Sequence, residues 1–268
     1  MRRELNGAAI LLTGATKGIG RKVAHLLADE KAKLAITSRS QSDLDALALE
    51  LRSKGIQVAP IAADLTKEED RRKLVAEAVR QLGGLDVLIN NAGLCSFGEF
   101  STSDESILRR LMEINFFAPV EMARLCLPHL TASNNKPAIL NVGSICSRRG
   151  IPSYPEHCAT KHAIAGITES WRGEFQRFGV DVCLVLPGLV SGQPDRASHL
   201  LRDEGKIYLN PNAGPSEDQV ARGIVKALKK GWMETVIGQL ALLIHRGNRV
   251  TPWLLDAVMR KKVLSYKA

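Results

Sequence analysis

The stretch TGATKGIG, residues 13–20, decides the fold. It follows a short apolar run, AAILLTG (8–14), and opens a segment with helical spacing near 18–30. Gly14, Gly18 and Gly20 carry no Cβ, so the chain can turn tightly and bring its backbone close to a bound group. At a helix N-terminus the unpaired N–H groups and the dipole favour an anion, above all a pyrophosphate. Three glycines alone are weak. Their place between a strand and a helix makes a strong signal for a dinucleotide-binding turn.

Outward from that turn, short apolar runs alternate with longer amphipathic ones. The runs KLAITSR (33–39), IQVAPIAAD (56–64), LDVLINNA (85–92), PAILNVGS (137–144), VDVCLVLP (180–187) and ETVIG (234–238) read as further strands. Helical stretches lie between them, near 41–54, 67–82, 103–132, 154–178 and 216–230. Continuous apolar strands separated by helices predict a parallel sheet covered on both faces. The expected class is α/β: a Rossmann-type, doubly wound sheet of seven strands, with its ligand beyond their carboxyl ends. Residues 1–238 read as one nucleotide-binding domain and 239–268 as a basic helical tail. The stretch 191–218 carries three prolines and mixed charge and reads either as a substrate loop or as a surface excursion.

Composition narrows the function. The chain has 268 residues, 45% hydrophobic and 24% charged, enough for a sizeable core. No apolar run is long enough for a membrane span, and the N-terminal apolar run reads as a strand rather than a signal peptide. The five cysteines are scattered, with no CxxC pair, which fits reduced thiols in a cytoplasmic protein and gives no metal site. The net charge of +9 reads as a solvated surface or as a preference for an anionic partner. No nucleic-acid motif accompanies it.

The GxxxGxG spacing resembles the short-chain dehydrogenase/reductase family, and the resemblance extends along nearly the whole chain. Asp64 and Leu65 in AADLT match the family's segment near the adenine ring, and Asn91, Ala92 and Gly93 match its NNAG segment. Asn115 matches the active-site asparagine, Ser144 the catalytic serine, and Lys161, 17 residues beyond it, the catalytic lysine. Pro187, Gly188 and Val190 match the turn that contacts nicotinamide. With Gly14, Thr16, Lys17, Gly18, Ile19, Gly20, Ser38 and Arg39, and with Lys161 on the ribose, these residues form the implied cofactor site. The implied activity is hydride exchange between a nicotinamide cofactor and a ketone or secondary alcohol.

Two basic residues bear on which cofactor. Residues 37–40 read TSRS, with no acid where an NAD-binding protein places one for the ribose 2′-hydroxyl. Arg39 offers a forked, charge-assisted grip on a 2′-phosphate, with Ser38 or Ser40 as a further donor. In this family Lys17 and Arg39 together imply NADP(H); the competing reading is that both simply face solvent.

The catalytic set departs from the family at one place. In the family, a tyrosine 13 residues after the serine and four before the lysine passes the proton; here that place holds His157. Histidine is a general acid or base near neutrality. However, Lys161 disfavours the imidazolium, and an imidazole is shorter than a phenol, so a bridging water would be needed. Tyr154 precedes Pro155 and is expected at the helix entrance. A second departure is Gly192, where the family places a threonine; Ser191 stands one residue early. Two readings follow: an oxidoreductase acting on an apolar carbonyl or alcohol, with His157 in the proton path, or a catalytically impaired nucleotide-binding protein that senses or scaffolds. Either is expected as a homodimer or homotetramer. The tail, with Leu240, Leu243, Ile244, Trp253 and Leu254 beside Arg260, Lys261 and Lys262, reads first as packing on its own domain or a partner subunit, and second as an amphipathic contact with an anionic membrane.

Overall fold

A computed structural model describes residues 3–191 and 214–264. Seven parallel strands form one sheet: β1 (Ala9–Thr13), β2 (Lys33–Ser38), β3 (Val58–Ala62), β4 (Val87–Asn90), β5 (Ala138–Val142), β6 (Asp181–Pro187) and β7 (Glu234–Ile237). Their order is β3-β2-β1-β4-β5-β6-β7, so the winding reverses between β1 and β4. The register sets Ala9 beside Lys33 and Ile10 beside Val87.

The strands are apolar without a break because both faces are covered. Their two-residue period divides the core: Ile10, Leu12, Leu34, Ile36, Ile89 and Leu140 point to one face, and Leu11, Ala35, Leu88 and Ile139 to the other. The first face packs on α1 (Gly18–Asp29), α2 (Gln41–Arg52) and α7 (Glu217–Lys230). The second packs on α3 (Glu68–Leu82), α5 (Ala118–Thr131) and α6 (Pro155–Glu174).

The segment 103–132 is not one continuous helix. It is α4 (Glu105–Met112), a single π-helical stretch (Glu113–Phe117) and α5. A π turn inserts one extra residue and rotates the side chains that follow. Asn115 lies inside it.

Arg3 locks the start of the chain. Its side chain is 2% exposed, and its guanidinium donates to the carbonyls of Lys136 and Leu228 and pairs with Asp181 at 2.6 Å. The Leu228 carbonyl belongs to the last turn of α7, where a cation is favoured.

The tail forms α8 (Gln239–Val250) and α9 (Pro252–Leu264). Ala241 is buried, and Asn248 and Asp256 reach the segment after β5. Leu243 and Trp253, each 68% exposed, face outward. On α9 the exposed Trp253, Leu254 and Val258 are interleaved with Arg260 and Lys261 rather than set on an opposite face. No described helix is long and apolar enough to cross a membrane.

Candidate active site

Every described candidate residue lies at the carboxyl edge of the sheet or on the helical segments packed beside it. Gly14 follows β1, Ser38 ends β2 and Arg39 follows it, and Asp64 and Leu65 follow β3. Asn91 to Gly93 follow β4, Ser144 follows β5, and Pro187 to Val190 close β6. Gly192 and most of the 191–218 stretch lie outside the described residues.

The glycine turn is shaped by close backbone approach. Gly14 has φ +65°, and a Cβ there would stand 2.9 Å from the Ala92 Cα. A Cβ on Gly20 would stand 2.0 Å from the Gly14 carbonyl oxygen. Asn91 staples the turn to β4 by donating from Nδ2 to the carbonyls of Thr13 and Gly14 at 3.0 and 3.1 Å. Lys17 is the N-cap of α1, extended and exposed, without a side-chain capping bond, and no acid stands in the first turn. Thr16 and Gly18 are partly exposed there, whereas Ile19 is buried in the core below. The helix start therefore leaves its positive end open to an anion.

Arg39 is exposed at the end of β2. Burial works against ionising Asp64, but the Thr66 hydroxyl and N–H, with Lys67 and Arg39 nearby, hold its carboxyl below the ordinary value. Asp64 Oδ1 accepts from the Thr66 hydroxyl at 2.8 Å, so this carboxylate also organises its own loop.

The four candidate catalytic residues gather around β4 and β5. Asn115 accepts from the Leu94 N–H at 2.8 Å and donates to the Leu94 carbonyl at 2.9 Å and to the Thr160 hydroxyl at 3.0 Å. Ser144 caps a 3-10 turn (Ile145–Ser147), its Oγ accepting from the Cys146 N–H at 3.2 Å. Lys161 is buried on α6 and donates from Nζ to the Val142 carbonyl at 2.9 Å. Burial pushes its pKa down to about 8, while the nearby Cys95 and Cys146 thiols act the other way. Exposed Gly93 keeps the floor open: a Cβ there would lie 3.0 Å from Asn115 Oδ1 and 3.7 Å from Lys161 Nζ.

His157 is buried in the first turns of α6, with Nδ1 3.2 Å from the Leu94 carbonyl. A carbonyl only accepts, so Nδ1 carries the hydrogen and Nε2 keeps its lone pair in the neutral ring. Burial first, and then the Lys161 ammonium, push its pKa down to about 3, the Leu94 bond acting weakly the other way. The ring is therefore neutral at pH 7, an acceptor at Nε2 and not an acid. Tyr154 is the N-cap of α6, ahead of Pro155. Its ring centroid lies 6.4 Å from that of His157 and 4.9 Å from that of Phe97.

Three contributors escaped the sequence. The Leu94 carbonyl serves both Asn115 and His157, and the Val142 carbonyl holds Lys161. A backbone oxygen leaves no mark in a sequence, since every residue carries one. Thr160 links Asn115 to the His157 carbonyl, which its hydroxyl meets at 2.9 Å. Its only signal is its place three residues after His157 on one helical face.

Residues 8–200 of this chain match the family model of the short chain dehydrogenases. The chain belongs to the short-chain dehydrogenase family. Among its relatives in that family is the uncharacterized oxidoreductase YxnA of Bacillus subtilis (strain 168), 30% identical over 97% of this chain and 73% of that one. The ketoacyl reductase HetN of Nostoc sp. is 29% identical over 96% of this chain and 89% of the other. A short-chain dehydrogenase from Burkholderia cenocepacia J2315, solved with NADP, is 27% identical, with TM-score 0.81 over 96% of this chain and 98% of that one. A short-chain dehydrogenase/reductase from Burkholderia phymatum, solved with NAD, has the same fold, with TM-score 0.83 over 94% of this chain and 96% of the other at 21% identity.

Proposed function

We propose that this short-chain dehydrogenase uses NADP(H) to interconvert an apolar ketone and its secondary alcohol, with Asn115, Ser144, His157 and Lys161 as its catalytic set. The observation that carries the reading is the convergence of Asn115 and His157 on one Leu94 carbonyl, beside Lys161 and the open Gly93 floor.

The residues present fit a nicotinamide dinucleotide. The turn makes a tight backbone approach that a Cβ on Gly14 or Gly20 would block, the α1 start is uncapped by any acid, and Lys161 lies buried next to Gly93. Lys17, Gly18, Ile19 and Gly20 would receive the pyrophosphate, Arg39 and Ser38 a 2′-phosphate, Asp64 and Leu65 the adenine side, and Lys161 the ribose. Asn91 to Gly93 and Pro187, Gly188 and Val190 would line the rest. NADP rather than NAD is favoured by exposed Arg39 and the absence of an acid at 37–40. Solved short-chain dehydrogenases of this fold hold NAD as well as NADP, so the preference rests on Arg39 and the missing acid. When bound, the cofactor supplies or accepts the hydride.

The chain's own part is to orient the substrate oxygen and handle its proton. Ser144 Oγ accepts within its turn, so its hydroxyl hydrogen is left to donate to a substrate oxygen. His157 takes the place of the family's tyrosine. Its Nε2 accepts a hydrogen bond from the alcohol, directly or through one water. Returning that proton to a ketone needs the imidazolium, of which on the order of one ring in ten thousand is present at pH 7 for a pKa four units lower. Asn115 fixes the Leu94 backbone that sets the histidine tautomer, and Lys161 is the nearby cation.

The same neutral histidine favours the second reading, a nucleotide-binding protein with impaired chemistry that senses or scaffolds. One pair of proteins separates the two: the chain as it stands and His157→Tyr, each assayed with NADPH against a carbonyl panel between pH 5 and 9. The oxidoreductase reading expects slow reduction by the histidine form, quickening as the pH falls. The tyrosine form is expected to be faster by about 10²–10⁴. A histidine form with no turnover beside an active tyrosine form leaves only the impaired reading.

A further inference from the structure

The tail reaches the segment that carries Ser144, and one of its side chains bonds two consecutive residues there. Asn248, near the end of α8, donates from Nδ2 to the Arg148 carbonyl at 2.8 Å. Its Oδ1 accepts from Arg149 Nη1 at 3.0 Å. Arg148 and Arg149 follow the 3-10 turn directly, with no residue between Ser147 and Arg148 to absorb a shift. The same two arginines are tied on their other sides. The Arg148 guanidinium pairs with Glu169 of α6 and Glu234 of β7, and Arg149 pairs with Asp256 of α9. The Arg149 carbonyl lies 3.8 Å from the Cys158 Sγ, the residue after His157. At the other end of α8, the Ala241 Cβ would stand 3.1 Å from a Cβ on Gly188, in the turn that closes β6.

We infer that Asn248 is a positioning residue for the reaction: through Arg148 and Arg149 it fixes the turn that aims Ser144, so the tail is a working part of the active site. The inference rests on the proposed role of Ser144. Its physical basis is a paired contact. A single amide satisfying a backbone acceptor and a guanidinium donor leaves the segment little freedom, because moving either residue breaks a bond. The Arg149–Asp256 pair adds less, since Asp256 is 70% exposed and exposed ion pairs contribute little. A hydroxyl aimed at a reacting oxygen is sensitive to displacements well under 1 Å.

The test uses the full chain with Asn248→Ala and Asn248→Asp. The aspartate keeps the acceptor for Arg149 and loses the donor to the Arg148 carbonyl. Hydrogen exchange by mass spectrometry reads the amides of residues 144–149, and urea unfolding reads global stability. The inference expects faster exchange confined to that turn in the alanine form, an intermediate rate in the aspartate form, and little change in the unfolding midpoint. With a carbonyl that the wild-type chain reduces, kcat should fall by about ten- to a hundred-fold, while KM and NADPH affinity stay within about twofold. Unchanged exchange at 144–149 overturns the inference, as does unchanged kcat. If the wild-type chain reduces no carbonyl, the proposed function falls, and the exchange measurement still decides whether Asn248 holds the turn.

Discussion

Replacing His157 by asparagine should make the protein more resistant to acid, by an amount that the burial of the ring sets. The folded ring titrates at about 3, against 6.5 for an unperturbed histidine. Between those two values the unfolded chain binds a proton that the folded chain refuses. Stability is therefore fully present above pH 6.5 and is lost as the pH falls towards 3. Each unit is worth ~1.4 kcal/mol. From pH 7 to pH 5 the histidine form should lose about 2 kcal/mol more than His157→Asn, and about 3 kcal/mol more by pH 4. Asparagine still offers an N–H to the Leu94 carbonyl and has no charge to gain. Other titrating groups are common to both proteins and cancel in the difference. The assay is urea unfolding at pH 7, 6, 5 and 4, read as the difference between the two forms. Parallel curves, separated by the same amount at every pH, would show that the ring takes its proton freely. The argument that burial and Lys161 keep the folded ring from acting as an acid would then collapse.

Three further expectations follow from single sites. Arg39→Glu should weaken NADPH binding at least about tenfold and spare NADH, since it replaces a phosphate donor with an acid; titration calorimetry with both cofactors checks it, and equal losses would place Arg39 outside the 2′-phosphate site. Gly20→Ala should destabilise the chain by about 1–3 kcal/mol, because its Cβ would meet the Gly14 carbonyl at 2.0 Å. An unchanged melting temperature would contradict that close approach. Arg3→Met should cost about 2–3 kcal/mol by removing the guanidinium's bonds to the Leu228 and Lys136 carbonyls and its pair with Asp181. A loss below about 0.5 kcal/mol would mean that the guanidinium is not the latch between the chain start and α7.

Much of the fold was legible because its signals are local. All seven strand candidates contain strands of the sheet, since a strand covered on both faces must be apolar along its length. The glycine turn was legible for a related reason: only residues without a Cβ tolerate its backbone contacts. Ends were less clear, and the continuous helix expected over 103–132 is broken by the π stretch that holds Asn115. One extra residue per turn is enforced by packing and leaves no compositional trace. The tail's composition allowed packing on its own domain, on a partner subunit or on a membrane, and the contacts of Asn248 and Ala241 with the domain come only from folding.

The candidate site divides in the same way. The sequence determined which side chains stand near its center, because Asn115, Ser144, His157 and Lys161 are countable positions on one chain. It also determined that an imidazole stands four residues before the lysine. The state of that imidazole was decided by tertiary structure alone. The Leu94 carbonyl comes from the far side of the sheet edge, 63 residues away in the chain, and fixes which nitrogen holds the hydrogen. Burial and the Lys161 charge then remove the second proton. Protonation depends on the solvent lost and the charges gained by folding, and neither quantity is written in the order of the residues.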